Sequence, residues 1–574
     1  MVSEQRYTFN KSSLFIAVII NVAILIFFLQ AFGIRPEVHD DLAIAVLIQN
    51  QYFYIRFINY FLCVFSYGFQ YLVPFVNGWT LLQLILSFIS FCTLSYVFVK
   101  QGARFINLAF AVALPFVFAF DHYCEPQFTK TSALLAIAGM IALLYYFKNR
   151  ETSSLSLLVI GFLLFLFGSW YRFDNIYPIL GLAAIWIVFQ TVRKHPKGWS
   201  ILVKSNIKTI ITFSIIMMIV FGTHGISNLI NLSTPELRAH WEFHSVRSDV
   251  MDYSGFAISN EKNRELYASL NLTEDDVKFL NSSLLDSDDL IGIEVLKKIV
   301  ANNAAVTERP GAVFIEMLKT LWQSARSIQL RGVHIVFILL ILVLFLLFAT
   351  KRWRIFSIVF CLCAIAGYFY LFYMGRPIYR ATYVIDLAAI SFLLFSITPE
   401  SFEPRLQRIQ QCAIVSIVVL ISFATVFSPY RHIQSQPPPD SDMNANILYE
   451  HMEANKEDLF VFNQTYHFYA TWDYYQMPLL PLPKDIFANG YELSRWQTRS
   501  PFNIQKLSRF GLSNIYSDAI DNEHVYFVDN GAMGYKESFF NNHFAEEGSV
   551  IEFELIDVIG GFGLWQIKTV PDDA

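Results

Sequence analysis

Apolar runs of about twenty residues, the length of helix needed to cross a bilayer core, recur along the first three quarters of the chain. They cover 13–33, 79–99, 105–121, 130–147, 154–170, 175–192, 208–228, 333–350, 354–374, 382–398 and 411–428. The pattern predicts about eleven spanning helices. The stretch 42–76 is apolar and aromatic but interrupted by Gln49, Asn50, Gln51, Arg56, Asn59 and Gln70. It predicts helices that lie in the membrane interface or re-enter it. Two polar regions break the series. The first, 225–331, carries helical patterns, for example at 273–285 and 288–303. The second, 429–574, opens on Pro437, Pro438 and Pro439 and then shows strand-like runs at 459–463 and 524–528. A hairpin pattern follows at 550–558 and 563–569. The expected fold is a polytopic α-helical membrane module over 1–428, joined to a small α/β or α+β domain over 429–574.

Composition agrees with the pattern. The chain is 55% hydrophobic, 17% aromatic and only 16% charged, where a soluble protein carries about a quarter charged residues. Charge placement adds a direction. Arg6 and Lys11 precede the first run, and Lys100, Arg104, Lys148, Arg150, Arg193, Lys194, Lys351, Arg352, Arg405 and Arg408 all fall in alternate connections. By the positive-inside rule those connections and the N-terminus are cytoplasmic. An odd number of spans then puts 429–574, with 225–331, outside the plasma membrane. The first run is longer than a signal-peptide core and reads as a retained anchor. All six cysteines lie in or beside apolar runs, so neither polar region is built on disulfides. The net charge of -5 and the lack of a basic run exclude a nucleic-acid partner.

Ionisable residues near membrane segments are costly and by default point to function. Here they gather at the ends of the spans opposite the basic connections. Asp40 and Asp41 are adjacent, directly before an apolar helix. Two neighbouring carboxylates repel, so one is able to act as a base, or the pair to bind a divalent cation. The same position also suits capping of the helix that follows. Arg376 and Arg380 bracket the start of a span, where guanidinium forks suit phosphate or pyrophosphate but also snorkel to headgroups. Arg172 and Asp174 form either a substrate contact or a structural ion pair. Glu125 and Lys130 flank another span start, where they can pair locally. His39 and His122 are the histidines able to complete a metal site with the acids. The segment from Arg247 to Tyr253 holds a dense charged cluster, with Asp249 and Asp252. No P-loop, dinucleotide fingerprint or hydrolase elbow is present.

These features together resemble the GT-C class of membrane glycosyltransferases, and most of all a branch of bacterial envelope proteins within it. The resemblance is carried by the acidic pair Asp40–Asp41 ahead of interfacial helices, by Gln127-Phe-Thr-Lys-Thr131, Arg172-Phe-Asp174 and Arg247-Ser-Asp-Val-Met-Asp-Tyr253, and by Gly375-Arg-Pro-Ile-Tyr-Arg380. It covers most of the membrane region and the large loop. It implies a polyprenyl- or dolichyl-phosphate sugar donor that enters from the bilayer, and a glycan or polymer acceptor in the envelope. Asp40 or Asp41 would be the catalytic carboxylate, deprotonating the acceptor hydroxyl or orienting it for an inverting displacement. Arg376, Arg380 and Arg172, with Asp174, Glu125 and His39, would bind substrate. A divalent cation at the acids stays open, and no cofactor is specified. Two other readings share the lipid-linked precursor: a polysaccharide polymerase and a transporter or flippase. Transporters place polar sites near the membrane midplane, whereas these runs are nearly clean at their centres. A non-enzymatic assembly or adhesion protein, with 429–574 as its binding module, is the third class.

Overall fold

The computed structural model describes residues 11–37, 40–101, 104–194, 199–254, 261–282, 292–304, 310–327, 329–398, 401–402, 407–435, 442–462, 466–483, 485–493, 496–529 and 533–572. Every apolar run is helical. In chain order these helices are α1 (Lys11–Phe32), then, beyond the short α2 (Asp40–Gln49) and α3 (Tyr60–Leu72), α4 (Gly78–Lys100), α5 (Arg104–Ala119), α6 (Phe128–Lys148), α7 (Leu155–Tyr171), α8 (Ile176–Lys194) and α9 (Trp199–Asn231). After the large loop, which contributes α10 (Pro235–Ser248), α11 (Glu261–Ser269), α12 (Glu274–Ser282), α13 (Ile293–Ala304) and α14 (Pro310–Ser327), come α15 (Leu330–Phe348), α16 (Lys351–Tyr373), α17 (Tyr379–Phe395) and α18 (Gln407–Ser435). Among the described residues nine helices are long and apolar enough to cross a membrane. The runs at 154–170 and 382–398 form α7 and α17, of 17 residues each.

The interruptions in 42–76 act as helix boundaries. Asn59 caps α3 by accepting from Phe61 N, and Asn77 caps α4 by accepting from Trp79 N. At 10 and 13 residues, α2 and α3 are too short to span a bilayer. α18 does not stop at 428: it runs through Pro429 to Ser435. The three prolines 437–439 lie outside the described residues.

The C-terminal region carries α19 (Ala445–Ala454), β1 (Leu459–Phe462), α20 (Tyr466–Thr471), α21 (Asp473–Gln476), β2 (Gly490–Glu492), α22 (Pro501–Arg509), β3 (Val525–Asp529), α23 (Gly534–Phe544), β4 (Ser549–Ile559) and β5 (Phe562–Pro571). The sheet order is β2-β1-β3-β5-β4. The first three strands are parallel, as helical crossovers require, and the last two form an antiparallel hairpin. Gly560 and Gly561 turn that hairpin with φ of 57° and 83°. A Cβ at either would also lie 2.3–2.4 Å from the carbonyls of Asn444 and Asp442. β2 is absent from the sequence reading because three residues show no alternation.

Strand alternation divides the core in two. Leu459, Val461, Val525 and Phe527 face a cluster that includes Phe243, Tyr267, Val277, Phe279, Leu296 and Ile299 of the large loop. Phe460, Phe462, Val528, Phe562 and Leu564 face the other way, onto α19, Trp472 and Leu42 of α2. The sheet therefore shares one core with the loop helices and another with the short helix that begins at Asp40. Gln49 strengthens the second contact by donating its amide to the carbonyls of Leu482 and Pro483, both at 3.0 Å.

Candidate functional site

A cavity of about 680 Å³ opens where the ends of the helices meet the large loop and the C-terminal domain. Asp40 reaches it from the first turn of α2. Arg56, Phe57 and Asn59 reach it from the link to α3, Arg172 and Asp174 from the end of α7, and His224 and Asn228 from α9. Trp241, His244, Arg247 and Asp249 enter from α10 and the turn after it, Arg376 and Arg380 from the start of α17, and Trp496 from the C-terminal domain. Residues up to 456 positions apart in sequence thus share one space.

Local structure explains how each charged group arrives. α16 ends on Gly375, with φ of 70°, whose N–H bonds to Phe372 O while Arg376 N–H reaches back to Leu371 O at 2.8 Å. That left-handed closure turns the chain toward the cavity at Arg376. Arg380, the second residue of α17, donates to Asp40 Oδ2 at 3.1 Å. Arg172 is the residue after α7, and its carbonyl accepts from Ser132 Oγ at 3.0 Å. Its guanidinium lies 3.5 Å from Asp174, whose side chain is 73% exposed, a solvated pair of small energetic weight.

The two adjacent aspartates part company. Asp40 lines the cavity, whereas Asp41 turns into the bundle, where its Oδ2 is buried. Asp41 accepts from Trp79 Nε1 and Gln83 Nε2, each at 2.9 Å, and from Phe128 N at 3.2 Å. Burial pushes its carboxyl up to about 7, against the pull of the Trp79 and Gln83 hydrogen bonds, with the neighbouring Asp40 adding to the rise. Asp41 ties the start of α2 to α4 and α6; Asp40 is the carboxylate that faces the cavity.

Other expected site residues lie elsewhere. Glu125 is buried beside His432, 3.3 Å away on the extension of α18, and does not line the cavity. It does not pair with Lys130 in a local ion pair. Lys130 is instead fully buried between Glu37 at 2.5 Å and Asp121 at 2.8 Å. Burial raises the pKa of Glu37, with Lys130 opposing that rise. His39, and the side chains of Asp252 and Tyr253, lie outside the described residues. His122 is buried against Tyr383, whose hydroxyl is 2.8 Å from its Nε2. Among the described residues no three His, Cys, Asp or Glu side chains gather as a metal site.

Several residues in these sites escaped the sequence reading. In the sequence Arg56 stands only as an interruption of an apolar stretch. Trp241, His244 and Trp496 had no spacing to mark them. A second buried network joins Asp121, which sits in a π turn over Phe120–Cys124, to Tyr379 at 3.1 Å, and Tyr379 to His334 at 3.4 Å. His334 in turn lies 3.9 Å from Asp386, which accepts from Tyr368. Asp386 did carry a signal, because a carboxylate inside an apolar run is costly unless partnered.

The cavity lining holds five arginines and three aspartates, so it favours an anion with several oxygens. Interleaved Phe57, Trp241 and Trp496 supply apolar faces. Asp40 is a carboxylate held at a helix start beside one of those cations, a geometry suited to removing a proton from a hydroxyl next to a bound phosphate. No family model matches the chain, and no characterised protein or solved structure is detectably similar to it.

Proposed function

We propose that this chain is a membrane glycosyltransferase of the GT-C kind, moving a sugar from a polyprenyl-phosphate-linked donor to a glycan or polymer of the cell envelope. The observation that carries the reading is the meeting of Asp40 with Arg172, Arg376 and Arg380 around one cavity. Counting α7 and α17 with the nine longer helices makes eleven crossings. Alternation then assigns every cavity-lining helix end to one face of the membrane, the face opposite the basic connections and so the outer one. A lipid-borne donor presents its phosphate at that depth without leaving the bilayer.

In this mechanism Arg376 and Arg380 hold the donor phosphate and stabilise the charge that develops as the anomeric carbon–oxygen bond breaks. Asp40 takes the proton from the acceptor hydroxyl as its oxygen attacks the anomeric carbon from the opposite side. The glycosidic bond forms, the lipid phosphate leaves with the bonding electron pair, and the configuration inverts. Asp41 keeps Asp40 in place through its bonds to α4 and α6.

The Asp40→Asn variant, produced at normal abundance in the source cell, should cut transfer by about a hundredfold or more, the range for a lost general base. Glycan composition would then lack one residue, and the matching lipid-linked sugar would accumulate. Wild-type glycan composition in those cells would refute the proposal. Loss of chain length with unchanged composition would favour a polymerase instead.

A further inference from the structure

We infer that α14, the last helix of the large loop, lies in the membrane interface on the cavity side, with Phe314, Ile315, Leu318 and Trp322 against lipid. The loop then returns from water to the bilayer before α15 begins. The inference rests on α15 and α16 being spans and is independent of the transferase reading.

At 3.6 residues per turn, α14 divides into three sectors. Val313, Met317, Leu321 and Ser324 fall on one side, where Val313 and Met317 are buried. Glu316, Lys319, Gln323 and Arg326 form a second sector, exposed and polar. The third holds Phe314, Ile315, Leu318 and Trp322, which are 41%, 55%, 46% and 68% exposed. Single exposed apolar residues are ordinary, but a contiguous apolar stripe marks a surface that something covers.

Packing fixes the depth of that stripe. The Phe314 ring meets Phe369, with centroids 6.0 Å apart, one turn inside the end of α16 at Tyr373. Toward the other end of α14, Gly332 in the first turn of α15 has no room for a Cβ against the carbonyl oxygen of Ser324. Arg431 of α18 donates to Ser327 O at 3.2 Å. The helix is therefore held across the cavity-side ends of α15 and α16, both long and apolar enough to cross a membrane. At the same level α16 exposes Tyr370 and Tyr373, and α18 exposes Tyr430, the residue type that gathers at the membrane–water boundary. The stripe thus continues the lipid-facing surface of the spans, and one bilayer covers both. Glu316, Lys319 and Arg326 mix their signs, so the polar sector selects no anionic surface and the apolar stripe carries the contact. Next to this helix, Arg331 donates to Pro377 O at 3.3 Å, in the turn that carries Arg376. The lipid contact of α14 therefore holds that turn at headgroup level.

The test is spin labelling of the full chain in phosphatidylcholine nanodiscs, with the two exposed cysteines removed by Cys363→Ser and Cys412→Ser. Labels are placed singly through Ile315→Cys, Leu318→Cys and Trp322→Cys, and through Glu316→Cys, Lys319→Cys and Gln323→Cys. Power saturation compares oxygen, which partitions into lipid, with a water-soluble nickel chelate. At 315, 318 and 322 oxygen should dominate several-fold, with labels about 5–10 Å below the headgroups. At 316, 319 and 323 the nickel chelate should dominate. The inference is overturned if nickel reaches 315, 318 and 322 as freely as the polar positions, which would put α14 in water. It is overturned equally if neither reagent reaches them, the sign of a second protein or a second copy over the stripe. A melting temperature within the wild-type range establishes that each labelled variant is folded. Where one is not, the unlabelled chain is crosslinked with phosphatidylcholine carrying an acyl-chain diazirine. Adducts should then map to 314–322 as well as to α16, and adducts on α16 alone would overturn the inference.

Discussion

Asp40 and Asp41 are chemically identical neighbours, and only burial and partners separate them. Asp41 retains a proton to about pH 7 in the folded protein, while an unfolded aspartate loses it near pH 4. Over that interval the unfolded state releases a proton that the folded state keeps, so stability falls as pH rises from about 4 to about 7. The full cost is on the order of 4 kcal/mol. Asp41→Asn should remove this component: the melting temperature of the variant minus that of wild type should rise across that window and level off above it. A difference that is flat with pH would show that Asp41 is ionised in the fold. The alternatives for Asp40–Asp41, capping or acting, were legible in the sequence as a pair. Which aspartate does which was not, because it depends on Trp79, Gln83 and Phe128 meeting Asp41 from two other helices.

At the scale of elements, α6 and α7 are the tightest pair in the bundle, and glycine is the reason. A Cβ on Gly139 would lie 2.5 Å from Phe165 N, and one on Gly168 2.6 Å from Ala136 N. Small residues let membrane helices approach closely when no hydrophobic force drives them together. Gly168→Val should therefore destabilise by about 3 kcal/mol or more, read as a lower melting temperature in detergent, and should displace Arg172 four residues on. Lys130 makes the complementary case for charge. It bridges Glu37 and Asp121 with its own side chain fully buried. Lys130→Met should cost about 3–5 kcal/mol by leaving two buried carboxylates facing each other. Adding Glu37→Gln and Asp121→Asn should restore much of it, and no restoration would mean that Lys130 acts by packing. All eleven helices could be read from their apolar runs, since lipid-facing length is a local property. The Lys130 network could not, since Glu37, Asp121 and Lys130 come together only through the π turn and the packing of α17.

Across the whole molecule, the C-terminal region behaves as part of the membrane unit rather than as an appended module. Four of its five strands were readable as strand-like runs, but a run with apolar residues on both faces, such as β1, says only that both faces are covered. The structure gives the covers: the loop helices help close one side, and α19 and Trp472, joined by Leu42 of α2, close the other. Residues 442–572 produced alone should aggregate or expose apolar surface to a hydrophobic dye, and co-production with 235–327 should reduce that. A monomeric, cooperatively unfolding fragment would contradict this shared core. The same packing holds α2, and with it Asp40, against the sheet. The central claim is that sugar transfer from a lipid phosphate occurs in the cavity that Asp40 lines. Its most direct test is transfer in proteoliposomes supplied with radiolabelled lipid-linked sugar extracted from the Asp40→Asn cells and with envelope polymer from the same cells. The account predicts that wild-type protein moves label into the polymer, while Asp40→Asn and Arg376→Gln with Arg380→Gln do not. Label that stays on lipid with wild-type protein, or moves equally with Asp40→Asn, would contradict it.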